Sequence, residues 1–187
     1  MKIATKVLLL LLLMSVAASA GFASEKKRDP LTEAEADQLR EVAMEPYRRL
    51  KLLIKFTEAR LVAIDQLRVD PKLAPGRGKQ IHDLLEDFTS IIDEINDNLD
   101  QYEARILDKD QVKQYHKGLK ELIEADERFQ LKLRTLQSAA ETDPVTRKEW
   151  PDFRFVLQDA QDALKSNADM AREYIETTRV ENKNEKK

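Results

Sequence analysis

The sequence predicts an all-α protein, an up-down-up-down antiparallel four-helix bundle with long helices. Apolar residues recur at alternating steps of three and four through four segments. Breaker clusters separate those segments, and only 4 Gly and 6 Pro interrupt 187 residues of which 36% are charged. Helices of about 30 residues are roughly 45 Å long at 1.5 Å per residue, so they bury their stripes only by lying lengthwise against each other. Short connections then make successive helices antiparallel.

The chain opens with Lys2 and Lys6, the apolar run from Val7 to Met14, and small residues ending Ala18-Ser19-Ala20. That is the three-part pattern of a secretory signal peptide, so residues 1–23 are expected to be removed by cleavage after Ala20 or Ala23. No later segment approaches the roughly 20 apolar residues that a membrane-spanning helix needs, so no stable membrane insertion is expected. With no cysteine, a lipid-anchored Cys, disulfides, thiolate metal sites and Cys nucleophiles are excluded. A periplasmic or secreted location fits these features.

The first helical segment opens at Leu31-Thr32-Glu33-Ala34-Glu35, where Thr32 caps and Glu35 reaches back to complete a capping box. Its stripe runs from Leu39 to Leu67, with a kink or short break near Glu45 because Pro46 follows. The cluster from Asp70 to Gly78 ends it. A second stripe runs from Ile81 to Ile106, and Asp108 caps a third from Val112 to Leu136. Trp150 precedes Pro151, so a short turn after Pro144 is expected, followed by a helix from Pro151 to about Val180. The bundle domain thus spans 31–181, and the polar residues 182–187 read as a disordered tail.

Antiparallel threading gathers the start of the first helix, the end of the second, the start of the third and the end of the fourth. Each contributes one of the chain's 4 tyrosines: Tyr47, Tyr102, Tyr115 and Tyr174. The other aromatic residues, Phe155 among them, fall in the middle or at the opposite end. Tyrosine brings an apolar body and a hydroxyl that needs a partner, which suits a half-wet site. His116 adjoins Tyr115, and Gly118, the only glycine outside the signal segment and linkers, removes a side chain nearby. These five tyrosine and histidine residues are the candidate ligand site; the plainer reading is that bundle ends simply favour amphipathic rings. Asp126 also falls in an inward register, and an unpaired buried carboxylate is costly. Arg60, at a similar height, is its expected partner in a structural polar pair.

The chain carries 32 Lys and Arg against 35 Asp and Glu, interspersed along its length. No basic face for nucleic acid follows from that distribution. Neither histidine follows a Glu-x-x pattern for a dimetal bundle site; His82 and Glu86 share a helix face, but two ligands make no metal centre. Hydrolase turns and phosphate loops are absent. Haem held between His116 and Met44 or Met170 is chemically available, but both methionines lie one position off the inward register. The Leu-Thr-x-x-Gln repeat of small exported helical chaperones is not met, since Leu31-Thr32-Glu33-Ala34 continues with Glu35 and has no second copy. The expectation is an exported, non-enzymatic binding or interaction protein without cofactor or metal, engaging a protein or small-molecule ligand. A chaperone-like or adaptor homodimer is the alternative.

Overall fold

The computed structural model describes residues 28–73, 75–103 and 109–184, with the side chains of 71, 102, 103 and 178–184 outside the described set. The signal segment, Ile106, Asp108, the phenol of Tyr102 and the last three residues of the tail therefore lie outside the described residues. Among those described there are five helices, one short 3-10 turn (Pro71–Leu73) and no strands: α1 (Glu33–Glu41), α2 (Pro46–Val69), α3 (Arg77–Glu103), α4 (Lys109–Thr142) and α5 (Pro144–Asn184). No helix among them is long and apolar enough to cross a membrane.

The expected first helix is two helices. Thr32 and Glu35 form both halves of the capping box, so α1 begins as the sequence indicates. It stops because Pro46 cannot donate a hydrogen bond and holds Glu45 outside helical geometry, at φ −116° and ψ 85°. The chain reverses through residues 42–45, and α1 folds back along α2. The buried guanidinium of Arg60 takes the Glu35 carboxylate at 2.6 and 2.7 Å and donates to the Pro30 carbonyl at 2.6 Å. Leu39 and Val42 are buried, and Arg28 reaches Asp87 on α3 at 2.7 Å.

Gly76, at φ +70°, makes the turn into α3 in a conformation that side chains with a Cβ disfavour. α5 departs from expectation at both ends. It begins at Pro144, not Pro151, because Asp143 caps it: its carboxylate accepts from the Thr146 amide at 2.9 Å and the Thr146 hydroxyl at 2.6 Å. Pro151 lies inside the helix. The turns before it are held down by Trp150 stacked edge-on against Phe153 at 5.4 Å, and by Glu149 bound to the buried Arg77 at 3.0 Å. At the far end the helix continues through Asn182, Lys183 and Asn184, which were expected in the disordered tail.

The four long helices pack in a ring: α2 against α3 and α4, and α5 against α3 and α4. Contacts fix the directions. α2 and α3 run antiparallel, since Arg49 meets Asn98 while Arg77 meets the Leu67 carbonyl. α4 and α5 do so as well, joined by Gln137 and Gln161. The other two seams are parallel, marked by Tyr47–Glu121 and Asp65–Lys132 for α2 with α4, and by Arg77–Glu149 and Asn96–Asn167 for α3 with α5. The sequence-successive α3 and α4 stand diagonally, and Phe88 and Phe129 meet edge-on between them at 6.0 Å in the middle of the core. Phe155, expected away from the tyrosine end, points outward at 66% exposure with the Arg154 guanidinium 4.3 Å over its ring.

The Arg60 ion pair holds the Glu35 carboxyl well below its ordinary 4.5, at about 2. A depressed acid stabilises the fold fully above its unfolded value, and the contribution is lost as pH falls through the folded value. Glu35→Gln is expected to cost about 2 kcal/mol at pH 7, allowing for the water that still reaches the pair. In urea unfolding, the gap between variant and wild type should shrink as pH is lowered from 4.5 toward 2.

Candidate functional site

Tyr47 occupies the first turn of α2, where Pro46 at the helix start sets its direction. Its ring lies against Gly118 of α4. A Cβ built on Gly118 would stand 3.0 Å from the Tyr47 ring and 3.2 Å from a Leu50 methyl, so the glycine is the space the ring occupies. The half-buried phenol donates to Glu121 Oε1 at 3.1 Å. The ammonium groups of Lys51 and Lys117 each lie 5.8 Å from the ring centre, within range of its negative face. One end of the α2–α4 seam therefore presents an aromatic face, a hydroxyl–carboxylate pair and two cations.

Tyr115 and Tyr174 go deeper, at 6% and 9% exposure within the continuous apolar core, one on α4 and the other on α5. His116 is partly buried, and its Nε2 has no hydrogen-bond partner among the described residues. Burial, and then the charge of Lys120, push its pKa below the usual histidine value, so the ring tends to remain neutral. Met44 is 81% exposed in the hinge between α1 and α2, and Met170 packs partly buried on the core. Tyr47 and Gly118 are thus brought together, with Tyr115 and His116 one turn away on the same helix.

Asp126 is buried as expected, at 1% exposure, but it does not pair with Arg60. Arg60 lies on α2 and is taken by Glu35, whereas neither carboxylate oxygen of Asp126 has a hydrogen-bond partner among the described residues. Arg172 acts on it electrostatically from α5, yet its guanidinium is turned to Asp169 at 3.2 Å. Burial dominates, and the carboxyl is pushed up to about 8 from 3.8. Asp126 consequently holds its proton at neutral pH, an acid inside an apolar seam.

Two other polar groups gave no signal in the sequence, and a third was seen only in part. Asn167, fully buried, donates to Asn96 at 2.7 Å across the α3–α5 seam. Asn98 takes the Arg49 Nε at 2.7 Å. Both sit on stripes whose leucines and isoleucines dominate the pattern, so a single amide gave no signal. His82, Asp83 and Glu86 place donor atoms within 4.8 Å of one another on the outer side of α3; the sequence paired only the first and last. Asp83 already faces Arg28 at 3.9 Å and Lys79 at 3.8 Å.

No family model matches the chain, and no curated protein or solved structure is significantly similar to it.

A buried acid raised from 3.8 to about 8 leaves stability complete below the lower value; stability then falls as pH rises toward the upper one. Asp126→Leu is expected to stabilise the fold by about 1–3 kcal/mol at pH 8, because it removes an unpaired polar group from the core. The difference from wild type should narrow steadily in urea unfolding between pH 8 and pH 4. A difference that does not vary with pH would contradict the buried-acid assignment.

Proposed function

We propose that this chain is an exported, non-enzymatic binding protein whose four long helices act as an up-down-up-down bundle presenting its tyrosine end to a ligand. The observation that carries the reading is Tyr47 seated on Gly118. A glycine in a helix interior costs about 1 kcal/mol relative to alanine, and here it leaves room for a half-exposed ring with its hydroxyl on Glu121. Tyr115, His116 and Tyr174 extend the candidate surface inward, and Tyr102 is the fourth tyrosine that the sequence assigns to this end. Such a surface suits a small molecule or a protein segment carrying an apolar body and a polar head. Nucleic acid is disfavoured by the net charge of −3.

The unpartnered Nε2 of His116 favours one second reading, a b-type haem or metal carrier, with His116 as the axial ligand. The 81% exposure of Met44 in the hinge weighs against its serving as the opposite ligand.

The test is a thermal-shift screen of small molecules and peptides, run in parallel on wild type, Tyr47→Ala and Gly118→Leu. A ligand at a hundred times its Kd stabilises by about 2.7 kcal/mol, a rise in Tm of roughly 5–10 °C for a chain of this size. That rise is expected in wild type and is lost in both variants. Compounds that stabilise all three proteins equally would place binding elsewhere. Appearance of a Soret band on adding haem, absent in His116→Ala, would turn the proposal to the haem reading.

A further inference from the structure

We propose that α1 is an exchangeable arm, and that a second copy of this chain docks by laying its own α1 along α2 and α3 in place of the resident one. Among the helices, α1 packs on α2, and its contacts form a self-contained set. Leu39 and Val42 supply the apolar part. Glu35 meets Arg60, Arg28 meets Asp87, and the Leu39 carbonyl accepts from Arg49. Every one of these contacts links residues 28–42 to residues 49 and beyond. None depends on which chain the arm comes from, so all of them re-form between two copies.

The hinge permits the exchange. Residues 42–45 are a four-residue reversal held by two backbone hydrogen bonds, Ala43 to Arg40 and Glu45 to Val42. Glu45 caps α2 through no side-chain bond, and Pro46 holds it outside helical geometry. A reversal of only four residues favours domain exchange, because it can open into a straight connection while the packed contacts are kept. The groove also selects its occupant. With α1 lifted away, Arg60 would lose the Glu35 carboxylate and the Pro30 carbonyl that it now holds, and the apolar surface under Leu39 and Val42 would be open. An arm carrying Leu39, Val42 and a carboxylate at the height of Glu35 satisfies both demands, and another molecule of the same chain carries all three. The resulting assembly is a symmetric dimer in which each copy gives and receives one arm.

The test uses complementary charge reversals in the mature chain. Glu35→Arg alone sets two cations together, and Arg60→Glu alone sets two anions together, so each closed monomer has a mismatched arm. In an exchanged pair of the two variants, both grooves are matched. Mixing them after brief partial unfolding is expected to give a 1:1 dimer by light scattering and native mass spectrometry, with Tm recovered to within a few degrees of wild type. The double variant, which matches in one chain, checks that the reversed pair is tolerated. Deleting Ala43 and Met44, half of the hinge, is expected to shift the otherwise unaltered chain to dimer at micromolar concentration. Two unpaired, destabilised monomers in the mixture beside a folded double variant would overturn the proposal. A folded monomer from the hinge deletion would overturn it as well, including where the double variant fails to fold. These readouts are oligomeric and do not depend on a ligand at the tyrosine end.

Discussion

The structure depends on the need to bury apolar stripes that run the whole length of helices 24 to 41 residues long. A stripe of that length has no short-range solution within its own helix, and each seam buries only part of its width. Four helices in a ring give every stripe two neighbours and a diagonal. The centre is then filled by the fully buried Phe88 and Phe129, which meet from opposite corners. Because rings at the diagonal touch edge-on, no fifth element is required inside. The remaining helix, α1, lies outside, where one seam still offers apolar surface and a buried cation.

Polar groups inside such a core fall into two kinds. Arg60 and Arg77 are satisfied by carboxylates from elements outside their own helix, Glu35 and Glu149, so each ties two elements together at a defined height. Asn96 and Asn167 do the same across the α3–α5 seam with a neutral pair. Asp126 is different: its oxygens have no hydrogen-bond partner among the described residues, Arg172 of α5 acts on it only at a distance and is turned to Asp169, and it holds a proton. The first kind fixes register. The second is a standing cost of the fold, which a carboxylate at that position does not repay through packing.

Much of the architecture is legible in the sequence, and what is not has a physical cause. The stripes and the capping box at Thr32 are local, and they locate the helices. Pro46 announces a break, but the reversal depends on Arg60 taking a carboxylate 25 positions earlier, which no local pattern reports. Pro151 suggested a start, yet the Asp143 cap and the clamp formed by Arg77 and Glu149 carry the helix through it. Spacing of apolar residues also says which face turns inward without saying which helix it meets, so the diagonal placement of α3 and α4 was not accessible. At the candidate site, the pairing of Tyr47 with the space at Gly118 follows from residues that stood out in the sequence. The unpaired state of Asp126 did not, because the height of a residue along a bundle does not fix the direction of its side chain.

The parallel seam between α3 and α5 has an electrostatic consequence. Two helices that start side by side bring the positive ends of their macrodipoles together, an arrangement that antiparallel neighbours avoid. This end answers with anions: Asp143, held below the usual carboxylate range by its bonds to Thr146, and Glu149, inserted beside Arg77. Counter-charge thus stands beside both helix starts, and added electrolyte weakens the part of this arrangement that faces water, Asp143 first.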